Sequence, residues 1–156
     1  MTKNLKRKDA IKIYSAKIIN FDNSRGDSPT ILIGNKKFVC FFPRFSQYGW
    51  NKLDNENKLD KLFGEKIAIY LVLNVFDYKD IKTIKIYDPY LIPVSKGDIH
   101  YEASGKTKLV DNKLMLDCGL KIYLNSPNKL HSGDLVQVKG RLDAYLVNKE
   151  ENNGVN

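Results

Sequence analysis

Leu130-His131-Ser132-Gly133-Asp134-Leu135-Val136-Gln137-Val138 repeats, with one residue inserted, the pattern of Leu62-Phe63-Gly64-Glu65-Lys66-Ile67-Ala68-Ile69. Each is a turn glycine, an acid and then an alternating strand. A hairpin precedes each copy: Ile31 to Phe42 around Gly34-Asn35, and Leu114 to Leu124 around Gly119. A further alternating strand precedes each hairpin, Ile11 to Ile19 and Ile99 to Leu109. Internal repetition is the first thing to seek in a chain, since it dictates the architecture. Two copies of strand, hairpin, turn-Gly-acid and strand predict a mainly-β protein of two small β-barrels in tandem.

The rest of the chain sets the boundaries. Residues 1–10 read as a basic arm, 11–95 as a first barrel, 96–148 as a second, truncated one, and 149–156 as a flexible polar tail. Two domains of this size are marginal singly, so they are expected to pack together. Lys52 to Leu62 is the one stretch that reads as a short helix. Asp88-Pro89-Tyr90-Leu91-Ile92-Pro93-Val94-Ser95 is a joint, because two prolines interrupt strand pairing. The closing strand of the second copy reads as a stub, Leu142 to Val147.

Lys and Arg outnumber Asp and Glu by 26 to 18, a formal net charge of +8 at pH 7. Beyond Arg7, Arg25, Arg44 and Arg141 the cations are lysines, point charges suited to phosphates in general rather than forks that read particular bases. An excess of this sign points to nucleic acid or an anionic surface as partner. An AT-rich coding bias writes the same lysines and asparagines, so charge alone does not decide. No apolar run is long enough to span a bilayer, and the basic N-terminal residues lack the apolar core of a secretory signal. Cys40 and Cys118 stand in separate predicted strands without metal-ligand spacing, so they read as small buried hydrophobes in a reducing, cytoplasmic setting. No metal, no cofactor and no catalytic set is expected: no phosphate-cradling glycine loop is present, and His100 and His131 form no catalytic set with their neighbours.

Gly133-Asp134-Leu135-Val136-Gln137-Val138-Lys139-Gly140-Arg141 resembles the fourth-strand signature of oligonucleotide-binding (OB) barrels, and Gly64-Glu65-Lys66-Ile67-Ala68-Ile69 is a weaker version. The order of elements in both copies is similar to that superfold. The resemblance implies single-stranded nucleic acid, DNA favoured over RNA, bound on the face of the second and third strands with two flanking loops as arms. It further implies work in replication or recombination, with proteins of those processes as possible partners. The tail Glu150 to Asn156 lacks the aromatic tip of the bacterial single-strand-binding proteins, which favours a phage or mobile-element protein.

Holding a single strand takes cations that track the backbone and rings on which bases stack. The first copy offers Phe21 and Arg25 in its first loop, Lys37 and Phe41 on its third strand, and Arg44, Phe45, Tyr48 and Trp50 in the following loop. Tyr78, Lys79 and Lys82 follow the fourth strand. Strand alternation puts Phe38, Cys40 and Phe42 on one face and Val39 with Phe41 on the other, so only one set is free of the core. Lys106, Lys108, Lys121 and Lys129 extend a basic track onto the second copy, or form an ordinary solvated face. The rival function is a protein-interaction β-barrel subunit of a larger assembly without nucleic-acid contact. Sequence leaves the oligomeric state open.

Overall fold

The computed structural model describes residues 12–21, 28–43, 45–46, 49–50 and 59–147. The chain is mainly β. Its strands are β1 (Tyr14–Asn20), β2 (Thr30–Ile33), β3 (Lys36–Val39), β4 (Phe45–Ser46), β5 (Gly49–Trp50), β6 (Lys66–Asn74), β7 (Ile81–Thr83), β8 (Tyr90–Pro93), β9 (His100–Val110), β10 (Lys113–Asp117), β11 (Lys121–Asn125) and β12 (Leu135–Leu146). Helical structure among the described residues is confined to two single 3-10 turns, Asp60–Leu62 and Tyr78–Asp80. The helix expected over Lys52 to Leu62 survives there only as the first of these turns; residues 51–58 lie outside the described region.

The described residues pack as two compact units. The first takes the described residues within 13–71, 97–99 and 142–147; the second takes Lys12, 72–96 and 100–141. These units cut across the expected 11–95 and 96–148 segments, because each draws on both halves of the chain. The expected arm and tail lie outside the described residues.

In the first unit, β1 pairs antiparallel with β2, Ile18 opposite Ile31, and with the start of β6, Ala16 opposite Ile67. β2 pairs with β3, Ile31 opposite Phe38. Just past β3, Phe41 bridges Asp143 in parallel: its N–H donates to the Leu142 oxygen at 2.9 Å and its oxygen accepts from the Ala144 N–H at 2.8 Å. The Val147 N–H then donates to the Ala68 oxygen of β6 at 2.9 Å. The circuit β1–β2–β3–β12–β6 therefore returns to its start. An odd ring cannot be antiparallel throughout, and the Phe41–Asp143 bridge is the parallel step. Inside lie Ile18, Ile31, Cys40, Phe42, Ile69, Leu71, Leu142 and Tyr145. Phe38, Cys40 and Phe42 are the core set of their strand, and Phe41 is half-buried on the other face.

The second unit has the same plan. β9 pairs with β10, Lys108 opposite Met115, and β10 with β11, Met115 opposite Tyr123. β11 pairs in parallel with the end of β6, Tyr123 opposite Val72 and Asn125 opposite Asn74. β9 also pairs with β12, Val138 opposite Ala103, and β6 pairs with β12. The circuit is β9–β10–β11–β6–β12, again of five strands with one parallel step. Ile122, Leu124, Leu116, Leu73, Val136 and Val138 fill it. At the parallel step the Asn125 amide donates to the Asn74 side-chain oxygen at 2.7 Å.

β12 runs unbroken to Leu146, so the stub expected over Leu142 to Val147 is its continuation. Within this strand Gly140 is there for closeness: a Cβ on it would collide with the Asn74 carbonyl of β6. The proline-flanked joint also pairs. Tyr90–Pro93 forms β8 against β9, Tyr90 opposite Ser104, an edge position that tolerates proline.

The repeated turn is matched in hydrogen bonds. The Gly64 N–H donates to the Ile18 oxygen at 2.9 Å and the Gly133 N–H to the Thr107 oxygen at 2.8 Å. Both glycines have positive φ, 78° and 93°, a conformation costly to residues with a Cβ. The second copy adds side chains. The Asp134 carboxylate accepts from the His131 N–H at 2.7 Å. The buried Thr107 hydroxyl donates to the His131 oxygen at 2.6 Å and accepts from the Asp134 N–H at 2.9 Å.

Candidate nucleic-acid interface

The second unit carries an open groove of about 1000 Å³ over β9, β10 and β11. Strand pairing sets out its surface in rows. Lys106, Asp117 and Lys121 stand opposite one another on adjacent strands, and the next row is Lys108, Met115 and Tyr123. Alternation sends Lys106 and Lys108 outward while Thr107 between them is buried. Lys12 lines the groove too, so four exposed lysines face one carboxylate, Asp117. The Lys113 ammonium lies 5.7 Å from the centroid of the Tyr123 ring. Four ammonium groups beside an open trough suit a chain of phosphates.

Tyr87 lines the same groove and is 46 % exposed. Desolvation, then the Asp117 charge and a hydrogen bond to Asp117, push its phenol above the ordinary value. The phenol therefore keeps its proton beside that carboxylate.

A second feature of this unit follows β6. Phe76 and Tyr78 are 67 % and 62 % exposed, on either side of Asp77, whose carboxylate accepts from the Lys79 N–H at 3.0 Å and caps the 3-10 turn. The Arg141 guanidinium lies 5.2 Å from the Phe76 ring centroid, within cation–π range. Beside them a small cleft of about 130 Å³ is lined by Lys79, Lys82 and Lys139 together with Asp80 and Glu102. The Tyr90 hydroxyl donates to Glu102 at 2.7 Å and accepts from Gln137, so that carboxylate is held in a network.

The residues singled out from sequence divide between the units. Phe21, Lys37 and Phe41 belong to the first, where Phe21 stacks on Phe63 with centroids 6.1 Å apart and Lys37 is exposed on β3. Tyr78, Lys79 and Lys82, assigned by sequence to the first copy, belong to the second unit and are exposed. Phe45 pairs with Trp50 in the backbone register of β4 and β5. Arg25, Arg44 and Tyr48 lie outside the described residues. Lys106, Lys108 and Lys121 stand together as the basic track; Lys129 does not line the groove. Sequence missed Lys12 and Tyr87, since only tertiary packing brings the segment before β1 and the stretch between β7 and β8 to this face.

Cys40 and Cys118 are both buried free thiols. Burial pushes both up, Cys118 to about 12 and Cys40 well above its ordinary value, with Asp143 adding to the latter. Among the described residues no group of His, Cys, Asp or Glu gathers as a metal site, and no helix is long and apolar enough to cross a membrane. No protein-family model, curated protein or solved structure matches this chain.

Proposed function

We propose that this chain binds single-stranded nucleic acid, DNA in preference to RNA, during replication or recombination, as a cytoplasmic protein of a phage or mobile element. In this reading the two strand circuits are OB-like barrels, and the fifth place in each is taken by a strand from the other half of the chain. The lysine groove over β9–β11 is the observation that supports it most. Counted along the second repeat, β10 and β11 are the second and third strands, the face that the OB resemblance assigns to the ligand. Sequence assigned binding to the first copy; the groove moves the emphasis to the second. The ridge of Phe76, Tyr78, Lys79 and Lys82 adds rings and cations of the kind that hold single strands.

A fold of this type serves many ends, so the site must decide. A specific observation favours the rival, a protein-docking subunit: Ile86, Ile92 and Val94 around β8 are 77 %, 49 % and 54 % exposed. Fluorescence anisotropy of labelled poly-dT, poly-rU and a duplex at two salt concentrations separates the two. Salt-sensitive binding, tightest for poly-dT, supports the nucleic-acid reading; no binding to any of the three leaves the docking subunit.

A further inference from the structure

Lysines alone bind any polyanion, so the groove needs another element if it is to distinguish a single strand from a duplex. Asp117 is a puzzle in that light. It stands in register between Lys106 and Lys121, where its charge weakens the attraction for phosphate. Its carboxylate accepts from the Gly119 N–H at 3.4 Å, and Tyr87 lines the same groove beside it. Tyr87 comes from outside the three-stranded face, on a segment stiffened by Pro89 two residues later. Its ring lines the groove and is 46 % exposed.

We propose that Tyr87 is a base-stacking platform that makes the groove selective for single strands, and that Asp117 is the positioning residue that holds its ring. The inference rests on the nucleic-acid reading above. Phosphates follow Lys106, Lys108, Lys121 and Lys12, while one unpaired base lies on the tyrosine face. Paired bases are already stacked on one another and cannot use it. The negative charge of Asp117 is tolerated because a fixed ring contributes more to single-strand affinity than one carboxylate removes.

The test compares an oligothymidine with an abasic deoxyribose-phosphate oligomer of equal length, a probe with the phosphates and no bases. Tyr87→Leu is expected to lower oligothymidine affinity about 5- to 150-fold, the loss of one stacked base, and to leave abasic binding unchanged. Tyr87→Phe, which keeps the ring but loses the phenol, retains part of the preference for bases. Asp117→Ala raises abasic affinity while the preference for bases falls; a carboxylate that only repelled phosphate would raise both alike. Circular dichroism confirms that each variant is folded. If the parent binds neither probe, the nucleic-acid reading itself fails. If Lys106→Ala weakens both probes but Tyr87→Leu changes neither, or changes both equally, that reading stands and the platform is rejected.

Discussion

Gly140 of β12 lies so near the Asn74 carbonyl of β6 that a Cβ on it would approach that oxygen closer than 3.0 Å. Gly105 of β9 has the same relationship to the Asp117 carbonyl of β10. In both, the obstacle is backbone, which cannot swing aside like a side chain. Gly140→Ala and Gly105→Ala are each expected to destabilise the protein by about 1–3 kcal/mol through overpacking. Urea unfolding measures this; a midpoint equal to the parent's in either variant rejects the close approach at that site.

The lysine groove has a salt signature. If phosphates follow it, the log–log dependence of single-strand affinity on salt has a slope of about −0.7 per phosphate contact. Lys106→Ala and Lys108→Ala each shed one such contact, so each variant flattens the slope by about 0.7. Titrations across a salt series read this directly. Equal slopes in parent and variants place the phosphates elsewhere.

Thr107 tests the repeated turn. Its hydroxyl serves both His131 and Asp134 from a buried position, where Ile18 in the first copy has only a backbone bond to Gly64. Thr107→Val keeps the shape and removes both hydroxyl bonds, leaving the Asp134 N–H and the His131 oxygen only their 3.2 Å bond to each other, at an expected cost of about 1–3 kcal/mol. A thermal or urea midpoint within error of the parent's would show that the backbone alone holds this turn.

Burial of the thiols predicts a stability loss at high pH. The folded state holds the Cys118 proton up to about 12, whereas the unfolded thiol releases it near 9.0. Above that value the unfolded state binds fewer protons, so stability falls as pH rises, by about 1.4 kcal/mol per pH unit for one thiol, until the folded thiol ionises. Cys118→Ala removes this contribution, and its urea midpoint is expected to decline less steeply between pH 9 and 11 than the parent's. Neither Cys40 nor Cys118 should react with a thiol reagent at pH 8 until the protein is denatured. Rapid labelling of the native protein would contradict their burial.

The turn glycines and their acids were readable because a positive φ and an alternating strand leave a local mark, and Gly64 and Gly133 occupy matching places. The face of Phe38, Cys40 and Phe42 was readable as one of two choices, since period-two alternation defines faces but not which is inward. What lay beyond reach was long-range. Nothing near Leu142 announces that it follows Gly140 in the same strand, because that glycine serves a neighbour distant in sequence. Tyr87 ends an alternating run from Ile81, but its place beside Lys106 and Lys108 comes from the path of the chain between β7 and β8. The basic track on β9 was visible as Lys106 and Lys108 flanking Thr107, but that Tyr78, Lys79 and Lys82 belong to the same unit was not.

β6 and β12 each contribute to both units, and this orders events during synthesis. The first circuit needs residues 142–147, which leave the ribosome after every other described part of the chain. At ordinary elongation rates β1, β2 and β3 wait on the order of ten seconds for the strand that completes their ring. Pairings so distant in sequence also form slowly once available. Through that interval the far side of β3 is an open edge, accessible to whichever strand arrives first, including one from a neighbouring nascent chain.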